Sequence, residues 1–152
     1  MIRVERDPAW WTAIAAHPAV AGALLGLAPE AVGALAARPD LLPLAADHGG
    51  FFFGRSDAMG FSCELHTLFT PEGWGREVLL AALEAFSMVF SLGFSLVTTF
   101  EVEGNAKSRP PLTFGFAIAG DWRETPVGPL RLWILTREAW TASPARRRHL
   151  CH

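Results

Sequence analysis

FSCELHTLFTPEGWGRE, Phe61 to Glu77, changes its periodicity once and therefore reads as two elements joined by a turn. From Phe61 to His66 apolar and polar residues alternate, the mark of a half-buried strand that runs on to Phe69. Gly73-Trp74-Gly75 then supplies a tight turn, and beyond it Leu79, Leu83, Phe86 and Phe90 recur at i, i+4, i+7 and i+11, one stripe of a helix. A strand that reaches a helix start through a glycine turn offers unpaired backbone amides and the positive end of the helix to a single spot, so an anion, above all the phosphate of a cofactor, fits there.

Upstream of this stretch, Phe51-Phe52-Phe53 reads as a strand that Asp47-His48-Gly49-Gly50 turns back onto Leu41–Ala46, and the three strands form an antiparallel meander. Further back, Ala28-Pro29 and His17-Pro18 punctuate two short helices, about residues 29–37 and 19–27. Asp7 caps an earlier helix with Pro8 in its first turn, after a short strand within Ile2–Arg6. Downstream, Gly93 stops the long helix, whose Glu77 and Glu84 are expected on its outer face. Ser95–Val102, rich in β-branched and aromatic residues, is expected to pair in parallel with the Phe61–Phe69 strand through this helical crossover. One short helix within Gly104–Leu112 and two last strands, Phe114–Ile118 and Leu130–Leu135, around a loop holding Trp122 complete the pattern. The expected class is α/β, a mixed and mostly antiparallel sheet flanked by helices, with residues 1–142 as one domain and 143–152 as a basic tail.

Composition narrows the function. The 152 residues are 51% hydrophobic and 18% charged, which describes a packed globule, and a net charge of −2 without a basic cluster outside Arg146, Arg147 and Arg148 argues against nucleic acid. Pro8–Pro29 and Val78–Phe100 are the two apolar stretches, and proline, glycine and Glu84 break them into short elements, so no membrane span is expected. A disulfide between Cys63 and Cys151 would tie a strand to the chain end, so a reducing cytoplasm is expected instead. Trp10, Trp11, Trp122, Trp133 and Trp140 read as core or interface anchors, compatible with a homodimer. His149, Cys151 and His152 do not make a closed ligand set, and no metal is expected.

The order of elements resembles that of the GNAT N-acetyltransferase superfamily, over nearly the whole chain by topology and specifically from Glu64 to Phe116. In that family the turn follows Gln/Arg-x-x-Gly-x-Gly/Ala and cradles the pyrophosphate of acyl-CoA. Here the six positions are Thr70-Pro71-Glu72-Gly73-Trp74-Gly75: both glycines match, Thr70 stands in place of Gln or Arg, and Glu72 brings a carboxylate beside the phosphate position. Asn105-Ala106-Lys107-Ser108 and then Gly115-Phe116 match a second family feature after the following strand. The resemblance implies acetyl-CoA as co-substrate. It places the pantetheine arm along Leu68, Phe69 and Thr70 and the pyrophosphate at Gly73, Trp74, Gly75 and Arg76, with Asn105 as a further contact.

Acetyl transfer to an amine needs a neutral nucleophile, a donor for the carbonyl oxyanion and a proton for the leaving thiolate. The period of two puts Glu64 and His66 on one face of their strand, where either could take the amine proton. The family commonly protonates the thiolate with a tyrosine, and this chain has none, which leaves Ser108 or water for the step. The acceptor pocket is expected from the apolar helices of residues 10–37 and the loop around Trp122, and suits a small-molecule amine or a peptide end. The same departures from the family pattern support an alternative, a catalytically silent GNAT-fold module that binds a protein partner, for example in a phage-related assembly.

Overall fold

The computed structural model describes residues 1–57 and 59–150, the side chains of residues 149 and 150 excepted. The expected metal-free tail residues Cys151 and His152 therefore lie outside the described residues, as does the side chain of His149. The chain divides into two compact units, Met1–Arg55 with Leu65–Ser87, and Ser56–Glu64 with the chain from Met88 on.

In the first unit, β1 (Arg3–Val4), β2 (Leu41–Ala45) and β3 (Gly49–Arg55) are neighbours in that order, each pair antiparallel. The helices before β2 are α1 (Pro8–Ala16), α2 (Pro18–Ala21) and α3 (Pro29–Ala36). Asp7 caps α1 by accepting a hydrogen bond from the Ala9 amide at 2.9 Å, and His17 caps α2 through Nδ1 and the Ala19 amide. The 19–27 helix expected from the sequence is only the four residues of α2, because Gly22 ends it and the Gly22-Ala23-Leu24-Leu25-Gly26 run beyond it turns at Leu25 and Gly26, whose φ values are 51° and 88°. Trp11, fully buried, is the centre of the core here, tilted against Phe52 with ring centroids 4.2 Å apart and packed with Ala15, Val20, Val32, Ala36 and Leu68. Its indole N–H donates to the Glu5 carbonyl at 2.7 Å, so the one polar atom of the ring is satisfied.

Two elements supply residues to both units: β4 (Ser62–Phe69) and the long helix α4 (Arg76–Ser91). Along α4 the buried side chains are Ala81, Ala82, Leu83, Ala85, Phe86, Val89 and Phe90, a broader stripe than the sequence periodicity indicates. Leu79 does not belong to it: the residue is 42% exposed, because it lies in the first helical turn ahead of the alanines that permit close packing. Glu77 and Glu84 are not simple solvent-facing acids either. Glu84 accepts the Ile2 amide at 2.9 Å, and Glu77 binds His48.

In the second unit β4 pairs in parallel with β5 (Leu96–Val102), over Ser62–Glu64 against Leu96–Thr98, as the crossover predicts. β5 pairs antiparallel with β7 (Leu130–Thr136) along its whole length, and β7 with the two-residue β6 (Ala117–Ile118). The single helix expected in Gly104–Leu112 is instead two one-turn 3-10 segments, Ala106–Ser108 and Leu112–Phe114: Pro110-Pro111 stops the first, and Gly115, with φ of 95°, ends the second. After β7 come α5 (Arg137–Ala142), capped by Thr136, and α6 (Pro144–Leu150). Trp140 of α5 stacks on Phe114 at 5.9 Å and on Phe90 at 6.5 Å. Among the described residues no helix is long and apolar enough to cross a membrane. The overall class is thus mixed α/β, with antiparallel and parallel strand pairs and helices packed on them.

Candidate functional site

β4 delivers the chain to the glycine turn. Cys63 and Leu65 are buried, Ser62 and Glu64 are half-buried and His66 is exposed, so the alternation that groups Glu64 with His66 on the more open face holds this far. It then breaks, for Thr67 is exposed while Leu68, Phe69 and Thr70 are all buried. Burial also pushes the Cys63 thiol up to about 12, with the charge of Asp57 acting in the same direction, which leaves it an inert core group.

The turn itself is a 3-10 segment, Pro71–Gly73, closed by hydrogen bonds from the Gly73 amide to the Thr70 carbonyl at 3.0 Å and from the Trp74 amide to the Pro71 carbonyl at 3.3 Å. Two of the amides expected to face a phosphate are therefore engaged inside the turn. Those that open α4, on Arg76, Glu77 and Val78, have no intrahelical acceptor by the geometry of any helix start, and they carry the anion-facing potential. The two glycines do different work. A Cβ on Gly73 would lie 2.6 Å from Phe69 Cδ1 and 3.1 Å from His48 Cβ, so that position must be bare for the turn to pack. Gly75 has φ of 96° and open space where a Cβ would project, so its backbone bends into the helix with nothing covering it. Trp74 lies over the end of β4, its indole N–H donating to the Phe69 carbonyl at 3.1 Å.

Charge around the turn is mixed. Arg76 is exposed at the first position of α4. A hydrogen bond with the Thr70 side chain holds the Glu72 carboxyl below its ordinary range. Partial burial pushes the Glu77 carboxyl up, but hydrogen bonds from the His48 side chain and amide outweigh this and leave it lowered. A cavity of about 460 Å³ opens beside the turn, lined among others by Asp47, Glu72, Trp74, Arg76, Glu77 and Leu80. Three carboxylates in its wall make it a poor phosphate cradle. Sequence patterning did not single out His48; its hydrogen bonds to Glu77 at the start of α4 span 29 positions, and the Gly49-Gly50 pair after it was the one local sign of a tight approach.

In the second unit Asn105 and Ser108 hold the loop after β5. Asn105 Oδ1 accepts the Lys107 amide at 3.1 Å as the cap of the 3-10 segment, and Ser108 Oγ accepts the Val102 amide at 2.7 Å while lying 2.7 Å from the Asn105 carbonyl. Both side chains are thus engaged by the loop's own backbone. Among the described residues no group of three or more His, Cys, Asp or Glu is arranged to hold a metal ion.

Solved structures with the same arrangement cover almost the whole chain. The Mycobacterium smegmatis RimJ structure, in complex with CoA-disulfide, superposes with a TM-score of 0.70 at 18% identity, over 99% of this chain and 88% of that one. The aminoglycoside acetyltransferase AAC(6')-Ib in complex with coenzyme A gives 0.68 at 14% identity, over 93% and 96% of the two chains. A variant of the Vibrio cholerae spermidine N-acetyltransferase SpeG gives 0.73 at 12% identity, over 93% and 98%. This chain has the GNAT fold. No family profile and no curated protein matches the sequence. Within the GNAT fold of this chain, β4, the Pro71–Gly75 turn and α4 stand in the order that the sequence resemblance implies, and the loop of Asn105 and Ser108 follows β5 as it does in that reading.

Proposed function

We propose that this protein is an acetyl-CoA-dependent N-acetyltransferase acting on a small-molecule amine or a peptide end. The observation that carries the reading is the bend at Gly75, whose positive φ and uncovered backbone lead directly into α4 on a fold otherwise seen in acetyltransferases. The amides opening α4, with the exposed Arg76, would receive the pyrophosphate, and the backbone of Leu68, Phe69 and Thr70 would run beside the pantetheine arm. Gly73 and Trp74 would shape that surface without donating their amides, and Asn105 would act by fixing the loop after β5.

In the reaction, the acceptor nitrogen attacks the thioester carbonyl, the C–N bond forms, the C–S bond breaks, and the nitrogen gives up one proton. Glu64, half-buried, or His66, exposed on the same strand face, takes that proton directly or through water. The thiolate leaves and is protonated by water. For Ser108 to supply that proton its hydroxyl would have to leave its bonds within the loop, so water is the simpler source. Two similar proteins, an aminoglycoside acetyltransferase bound to coenzyme A and kanamycin and a spermidine N-acetyltransferase, support a small-molecule amine as the acceptor.

The test is a thermal melt with and without acetyl-CoA. Ligand at about 100 times its Kd contributes about 2.7 kcal/mol and raises the Tm by several degrees. An unchanged Tm at millimolar acetyl-CoA would overturn the reading in favour of a silent module of the same fold.

A further inference from the structure

His48 lies in the turn between β2 and β3, far from the glycine motif in sequence, yet the motif is built around it. Its amide donates to Glu77 Oε1 at 2.8 Å and its Nδ1 to Oε2 at 2.7 Å, so one residue holds both oxygens of a carboxylate in the first turn of α4. Its carbonyl accepts the Thr70 amide at 2.9 Å, immediately before the 3-10 turn. Its Cβ and carbonyl oxygen lie 3.1 and 3.3 Å from where a Gly73 side chain would begin. The entry to the turn, its middle and the helix that leaves it are thus all referred to His48. An ionised carboxylate only accepts, so the ring nitrogen facing Glu77 must carry hydrogen.

We propose that His48 is a positioning residue for cofactor binding, which fixes the Thr70–Glu77 segment and, when protonated, neutralises Glu77 so that the start of α4 can accept phosphate. This inference rests on the acetyl-CoA reading of the turn. Without the histidine charge, Glu77 would set a bare carboxylate among the amides that open α4 and oppose the helix dipole toward anions. The charged groups around His48 are Glu77, Asp47 and Glu72, all acidic, and Arg76 lines the cavity that these three carboxylates share. The hydrogen bond and charge of Glu77 raise the His48 pKa, with Asp47 and Glu72 adding to it. Neutralisation is therefore complete below the ordinary imidazole range and fades as pH rises through that raised value.

The experiment is titration calorimetry of the full chain with acetyl-CoA at pH 6.5 and 8.5, on the wild type, His48→Gln and Glu77→Gln, with the unliganded Tm of each as a folding control. Acetyl-CoA carries no free thiol, and titration of its own phosphate is common to all three proteins and cancels between them. Relative to Glu77→Gln, the wild type is expected to lose roughly fivefold in affinity from pH 6.5 to 8.5, the weight of one exposed charge pair. His48→Gln is expected to bind weakly at both pH values, and Glu77→Gln to bind well at both, because it removes the charge that needed neutralising. Equal affinity of wild type and His48→Gln, or equal losses in both variants, would overturn the proposal and leave the pair a structural brace. Absence of binding by the wild type at both pH values would instead overturn the acetyl-CoA reading itself.

Discussion

Single side chains in this protein carry consequences that their chemistry makes measurable. Replacing Gly75 by alanine forces an L-residue to φ near 96°, a penalty of about 1–2 kcal/mol, and is expected to lower the Tm by several degrees. Gly73→Ala meets Phe69 and His48 instead, and overpacking of about 1–3 kcal/mol should be accompanied by weaker acetyl-CoA binding as the turn shifts. The Glu64→Gln and His66→Ala variants should keep acetyl-CoA binding in calorimetry while one of them loses turnover in a thiol-release assay; unchanged turnover in both would remove them from the mechanism. Cys63, buried with a thiol raised to about 12, should resist alkylation in the folded protein and react only on unfolding, which a mass-resolved time course would show.

Among the elements, α1 and the β5–β7 pair show how local chemistry and packing share the stabilisation. Asp7 caps α1 through one hydrogen bond to the Ala9 amide, so Asp7→Ala is expected to cost about 1 kcal/mol in denaturant unfolding. Trp11 on the same helix is fully buried, and Trp11→Ala should cost about 3–5 kcal/mol, enough to threaten folding. On β5, Glu101 is the buried acceptor for the Arg131 guanidinium and for the Trp133 indole at 2.7 Å, while Arg131 also lies 4.5 Å over the exposed Trp122 ring. Burial pushes the Glu101 carboxyl up, and its bonds to Arg131 and Trp133 outweigh that and leave it lowered. Its contribution is thus complete above the ordinary carboxylate range and is lost as pH falls through the lowered value. Glu101→Gln should flatten the acid limb of a stability-against-pH curve, an outcome that unfolding measurements below pH 5 would check.

Across the full chain, what could be read from residues alone was what depends on neighbours close in sequence. Asp7-Pro8, His17-Pro18 and Ala28-Pro29 marked helix starts because capping and proline geometry act within one turn. The alternation in β4, the helix after Gly75 and the crossover to a parallel β5 were legible because side-chain period and connection handedness are properties of short segments. The α5 and α6 helices are not legible in the sequence although Thr136 and Ser143 are good caps, since the run of six or seven residues in each is too short to show a period. The amides of Gly73 and Trp74 looked available in the motif and are closed within the 3-10 turn, because one proline and one Thr70 carbonyl bring the acceptors within reach. His48, Glu77 and Glu84 found their partners 29 to 82 positions away, and Glu101 met Arg131 and Trp133 across a strand pair. Sequence therefore specified most of the elements and the turn that suggests a cofactor, since those follow from local sterics and solvation. Which carboxylate is neutralised, and by which distant cation or imidazole, is settled by chain folding that brings remote charges together, and no periodicity in the sequence encodes it.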